Sequence, residues 1–274
     1  MKKSTALLLG LAGAAVLAGA GAALLLAPGY ASKKQKEPFT GRNFAHRGLH
    51  SEDKSVPENS LEAFDRAASA GYGIELDVQL SKDGQVVVFH DDDLKRVCGV
   101  EQRVDEVDYA ELKEMKLCGT EHTVPLFTTV LDTVNGRSPL IVELKTGKRN
   151  EELCKKTCEI LAGYKGNYCI ESFDPRIVGW FRKNAPEIVR GQLAMPAKEY
   201  KNKKPLPFIL SHVLTNIIAR PHFIAYKIGP RPLAVRLSEL MGAMKVGWTS
   251  LDKSSEIGRD AVIFEFYTPE VFYK

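Results

Sequence analysis

Several acids and bases of this sequence stand inside, or at the end of, apolar strand-like runs, where burial disfavours charge. Glu75 and Asp77 in "ELDV" are two residues apart, so on a strand their carboxylates share one face while their apolar neighbours point the other way. Glu143 in "IVELK" is a third carboxylate in an equally apolar setting. Such carboxylates repel one another unless compensated, either by Arg and Lys partners and solvent or by a hard divalent cation with oxygen ligands. His46 ends "NFAH" and His90 ends "VVVFH". Two imidazoles facing one site can act as general base and general acid near neutral pH, and phosphodiester cleavage uses such a pair. Arg47, beside His46, offers a planar fork to phosphate oxygens. Lys145, two residues after Glu143 and on the same strand face, offers a point charge. Either cation could instead neutralise the carboxylates, and the two roles are compatible. His50, His122, His212 and His222 are expected to be hydrogen-bonded structural histidines.

These residues need a frame that gathers strand ends. Nine strand-like runs alternate with helical patterns: "NFAHR", "GIELDVQL", "QVVVFH", "PLIVELK", "YCIESF", "VRGQL", "FIAYKI", "MKVGWTS" and "AVIFEF". In "SLEAFDRAASAG", Leu61, Phe64 and Ala68 share one helical face, with Asn59 expected as N-cap, Glu62 as its capping-box partner and Gly71 as the stop. Strand followed by helix, repeated, predicts a parallel sheet. About eight such units in residues 40–274 predict an α/β chain closed as a (β/α)8 TIM barrel, with one strand left over. A doubly wound open sheet is the alternative, but "HRGLHS" is no glycine-rich phosphate loop. Only "QLSKDG" separates the second and third runs, too short for a crossover helix. The chain either makes a hairpin at Asp83–Gly84 or descends and climbs again as a parallel strand. The second path is the expected one, because a hairpin would separate Asp77 from His90 by a strand length.

The first 31 residues differ in kind. Between Lys3 and Lys33 nothing is charged, and the run Ser4–Ala27 is long enough to cross a bilayer, so a single-pass N-terminal transmembrane helix is expected, followed by a polar linker over 32–39. A signal peptide cut near Ala31, leaving a secreted barrel, is the alternative. Lys2 and Lys3 on one side and Lys33, Lys34 and Lys36 on the other leave orientation undecided. The formal net charge of +4 carries no basic stripe of the kind a nucleic-acid partner needs. The five cysteines include Cys154 and Cys158 at helical i, i+4 spacing without the companions of a zinc site, and are expected to be inert thiols.

Taken in order, "HRG" at 46–48, "PENS" at 57–60, "ELDV" at 75–78, "KDG" at 82–84, "VVFHD" at 87–91, "VELK" at 142–145 and "WTS" at 248–250 resemble the glycerophosphodiester phosphodiesterase family. The resemblance implies a barrel whose divalent metal, Ca2+ or Mg2+, is held by Glu75, Asp77 and Glu143. His46 and His90 would be its acid–base pair, Arg47 would hold the phosphate, Lys145 and Trp248 would lie on the substrate, and Gly48 would let the backbone approach the ligand. It further implies hydrolysis of a small or lipid-derived glycerophosphodiester to glycerol phosphate and an alcohol. A phospholipase-D-like enzyme on lysolipids and a catalytically inactive phosphodiester-binding barrel are the alternatives. The chain departs from the family at its end, where "FEFYTP" stands in place of the usual closing motif.

Overall fold

In a computed structural model of the chain, residues 19, 21, 23–201 and 205–273 are described. Eight parallel strands close into a barrel: β1 (Arg42–Ala45), β2 (Gly73–Leu80), β4 (Leu140–Leu144), β5 (Tyr168–Ser172), β6 (Arg190–Ala194), β7 (Phe223–Lys227), β8 (Met244–Ser250) and β9 (Ala261–Phe264). β1 closes the ring by pairing with both β2 and β9. The leftover strand is β3 (Val86–Val88), which runs antiparallel to β2 with Val78 opposite Val88 and Leu80 opposite Val86. The short connection is therefore the hairpin, not the expected parallel return. The hairpin does not separate Asp77 from His90, because β2 overshoots and the returning chain comes back level with Asp77, whose carbonyl accepts from Phe89 N–H at 3.0 Å. Between β3 and the helix Phe127–Val134 the chain builds a small excursion with its own core of Val87, Phe89, Leu94, Val104, Leu112 and Leu117.

The barrel interior follows from strand alternation. Phe44, Ile141, Cys169, Phe223, Val246 and Ile263 pack inside, while Ile74, Leu76, Val142 and Ile170 face outward against helices. The helix Leu61–Ser69 lies between β1 and β2 and buries Phe64, Ala67 and Ala68. Its N-cap is Ser60, whose hydroxyl accepts from Ala63 N–H, and not Asn59, which has a left-handed φ of 55° and turns elsewhere. Glu62 pairs with Arg66 one turn on.

The expected linker over 32–39 is docked onto the barrel. Ser32 caps the short helix Lys33–Lys36, Gln35 and Lys36 donate to the carbonyls of Glu187 and Gly242, and Phe39 is buried with the interior cluster. Most of the run Ser4–Ala27 lies outside the described residues, and among the described residues no helix is long and apolar enough to cross a membrane. All five cysteines are free, and burial pushes the Cys98 and Cys154 thiols up to about 11 and about 12, so neither is a thiolate near neutral pH.

Candidate active site

The C-terminal ends of β1, β2 and β4 gather the expected residues. Glu75 and Asp77 project inward from β2, and Glu143, paired in register with Asp77, projects inward from β4. All three are buried, and each offers an oxygen within 4.8 Å of the other two. Three oxygens at that spacing can lie together on the coordination sphere of one divalent cation, at the usual metal–oxygen distances of about 2.0–2.6 Å. Burial first, then the mutual repulsion of the cluster, pushes Glu75 well above the ordinary carboxylate range, and burial also raises Glu143. Burial works in the same direction on Asp77, but Lys145, His90 and Arg47 together with an Asn59 hydrogen bond outweigh it and hold Asp77 below its usual value.

The cations are woven into this cluster. Lys145 Nζ lies 2.9 Å from Glu143 and 3.3 Å from Asp77. Arg47 contacts Asp77 at 3.6 Å and Glu58 at 2.8 Å, and its backbone N–H donates to Glu75 at 3.0 Å. That backbone bond is possible because Arg47 and Gly48 both turn through positive φ, 54° and 80°. One reason for Gly48 is visible here: a Cβ would stand 2.8 Å from the backbone of Ala63, so the glycine lets the turn pack against the helix.

The two imidazoles are held by different carboxylates. His46 Nδ1 is 3.5 Å from Glu265, and its Nε2 is 4.0 Å from Glu75. Burial lowers the pKa of His46, and Glu265 opposes the shift. His50 shares Glu265 at 2.9 Å and packs against Phe266. His90 Nδ1 lies 2.6 Å from Asp91, Asp91 pairs with Arg96 at 2.6 Å, and Arg96 pairs with Glu58 at 2.7 Å. A chain of ion pairs therefore runs from His90 through Asp91, Arg96 and Glu58 to Arg47. His90 also bears electrostatically on Asp77 and Glu143, so both histidines flank one carboxylate cluster.

Several participants were given no role in the site from the sequence. Asn59 donates to Asp77 at 2.9 Å. Glu265 stands in the divergent "FEFYTP" segment. Glu58 and Arg96 carry the ion-pair chain. Glu171 on β5 is a fourth inward carboxylate, in register with Glu143 and 1% exposed; its Oε2 is buried without a hydrogen-bond partner among the described residues. Burial, then Glu143 and Asp77, raises it far above the ordinary range. It sits in "CIESF", the same kind of apolar strand that marked Glu143, so the same criterion applied to β5 would have found it.

From Glu143 and Lys145 an open groove of about 760 Å³ runs outward past Phe173, Met195, Tyr200, Leu206 and Leu210. Trp248 supports this wall through Phe173: the indole N–H donates to the carbonyl of Ala225 at 2.9 Å and the two rings meet edge-on at 5.5 Å. His222 is structural, as expected. Its Nδ1 accepts from Arg190 N–H, and burial followed by the Arg190 charge pushes it down to about 3.

The sequence model of the glycerophosphoryl diester phosphodiesterase family matches residues 46–262. The rat protein "Lysophospholipase D GDPD1" is 32% identical over 155 residues, covering 52% of this chain and 48% of that one. The glycerophosphodiester phosphodiesterase of Bacillus altitudinis is 34% identical over 165 residues, covering 56% and 66%. The matches thus span about half to two thirds of those relatives' own length. Among solved structures, an Oleispira antarctica phosphodiesterase in complex with the product sn-glycerol-3-phosphate superposes with a TM-score of 0.68 at 23% identity, covering 82% of this chain and 93% of that one. At that identity the likeness speaks for the fold.

Proposed function

The chain belongs to the glycerophosphoryl diester phosphodiesterase family, and from that premise we propose that it hydrolyses glycerophosphodiesters to glycerol phosphate and an alcohol, using a divalent cation and the His46–His90 pair. The observation that carries the reading is the convergence of three buried carboxylates with two cations and two differently held imidazoles at one end of the barrel. A binding module has no need of both imidazoles.

Glu75, Asp77 and Glu143 fit an ion such as Ca2+ or Mg2+. When bound, it supplies positive charge that acidifies a nearby substrate hydroxyl and offsets the charge developing on the phosphate. The residues do the rest. Arg47, held by Glu58, presents its guanidinium to a phosphate oxygen, and Lys145 adds a second positive charge. One imidazole takes the proton of the glycerol hydroxyl next to the phosphate as that oxygen attacks. The other protonates the departing alkoxide, and the roles reverse when water opens the resulting cyclic diester. Asp91 fixes the His90 ring by a hydrogen bond at Nδ1, and Glu265 faces His46 Nδ1 across 3.5 Å, which leaves Nε2 of each ring for proton transfer.

The groove favours a second reading for the glycerol side. Its walls of Phe173, Met195, Tyr200, Leu206 and Leu210 suit an acyl chain, which would make lysolipids substrates and the activity of the lysophospholipase D type. Phosphorus NMR of the products formed from glycerophosphocholine and from lysophosphatidylcholine tests both. Glycerol phosphate from the first, lysophosphatidic acid from the second, and loss of each with excess chelator or in Glu75→Ala, Asp77→Ala and Glu143→Ala are the expected results. Full turnover in chelator would refute the metal assignment.

A further inference from the structure

One side of the barrel is unlike the rest. The helix Leu233–Leu240 follows β7 and turns its buried face, with Val235 and Ser238, toward the sheet. Its outer face carries Leu233, Leu237, Leu240 and Met241, within an arc of about 100° around the helix. Leu233 is 67% exposed and Leu240 80%. On the other flank of β7 the helices Leu206–Ser211 and Asn216–Ala219 expose Leu206, Phe208, Ile217 and Ile218. Isolated exposed apolar residues are ordinary, but two neighbouring helical faces of this kind are not.

The N-terminal segment leaves the barrel at this place. Leu26 is buried with Val213, Ile224 and Val235. Asn216 donates to the carbonyl of Leu26 and to the hydroxyl of Ser238, both at 3.0 Å, so it ties the segment to both flanks. Arg220 donates to the carbonyl of Ala27, and Gly29 N–H donates to the carbonyl of Pro221. The uncharged run Ser4–Ala27 therefore ends on the barrel surface with no slack. These two faces flank the point at which that run ends, at Leu26 and Ala27.

Charge points the same way. Between Glu199 and Asp252 the sequence holds eight lysines and arginines and a single acid, Glu239, which is buried and paired with Arg231 at 2.7 Å. Arg236 is exposed on the same helix as the leucine stripe. Apolar side chains with Arg236 among them, and no exposed carboxylate on the three helices, describe a surface that lies in the interfacial layer of an anionic bilayer.

We propose that the face made by the helices flanking β7 rests on an anionic lipid bilayer, so that the barrel is seated on the membrane by its own surface as well as held by its N-terminal run. Both flanks are in contact with lipid, and the outer end of the groove, at Leu206, faces the bilayer. The full-length protein reconstituted in vesicles of phosphatidylcholine and phosphatidylglycerol, doped with a lipid bearing a photoactivatable diazirine in the acyl chain, tests this. Peptide mapping should find lipid adducts on the segments carrying Phe208, Ile217 and Ile218 and on Leu233–Met241, several-fold above those on Leu61–Ser69 and Phe127–Val134 across the barrel. Leu237→Asp combined with Leu240→Asp alters only exposed side chains, and should remove the adducts on its helix while thermal unfolding in detergent stays unchanged. Adducts confined to residues before Leu26, protein that does not float with the vesicles, or cross-links showing that a second copy covers these helices would each overturn the proposal.

Discussion

At the residue scale the site depends on carboxylates that hold imidazoles. Glu265 and the paired histidines depress one another's freedom: burial favours a neutral His46, and the Glu265 carboxylate favours its charged form. Removing that charge in Glu265→Gln should therefore lower the His46 pKa, moving the pH–rate limb that belongs to His46 toward acid and lowering kcat as the ring loses its partner. A profile superimposable on the parent's would separate Glu265 from catalysis. His46→Ala and His90→Ala should each lower kcat by roughly 10²- to 10⁴-fold, the usual range for a general acid or base. His50→Ala should cost far less, because His50 reaches the site only by sharing Glu265. Arg96→Ala tests the ion-pair chain. Without it Asp91 and Glu58 lose their common partner, so kcat should fall through His90 and KM should rise through Arg47.

At the scale of elements, period-two alternation made the strands and their inward carboxylates legible, since Glu75, Asp77 and Glu143 interrupt otherwise apolar runs. All nine strand-like runs contain strands. Alternation says nothing about register, so the overshoot of β2, which lets a hairpin return His90 to the level of Asp77, was not legible. The roles of Asn59, Glu58, Arg96 and Glu265 were hidden for a related reason: Asn59 meets Asp77, Glu58 meets Arg96 and Glu265 meets His46 through the folding of loops between elements, which no local period announces. His222 gives this scale its prediction. Its folded pKa of about 3 lies below the ordinary value of 6.5, so the unfolded chain binds the extra proton first and stability is lost as pH falls from about 6.5 toward 3. At pH 4 the loss from this one group is about 3 kcal/mol. Urea unfolding across that range should show it, and His222→Gln should flatten that part of the profile, whatever it does to stability at neutral pH.

At the scale of the whole molecule the described stretch over residues 26–39 is part of the fold and not a linker that ends where the barrel begins. Leu26 fills the outer layer over β6 and β7, Ala31 is buried, and Phe39 reaches the interior cluster. Gly29 is required at the crossing, because a Cβ there would stand 2.4 Å from the carbonyl oxygen of Arg220, and backbone cannot yield as a side chain can. Two truncations separate anchoring from folding. A chain beginning at residue 23 keeps Leu26 and the bonds to Asn216 and Arg220, and should melt as the full-length protein does. A chain beginning at residue 33 loses a buried leucine, a cost of about 2–5 kcal/mol, and leaves Asn216 and Arg220 without those acceptors. Its melting temperature should fall by about 5–15 °C. Every proposed catalytic group lies beyond Asn43, so below their melting points both truncations should turn over water-soluble diesters with an unchanged kcat. Equal melting temperatures for the two would mean that residues 23–32 only lie on the barrel, and that it closes without them.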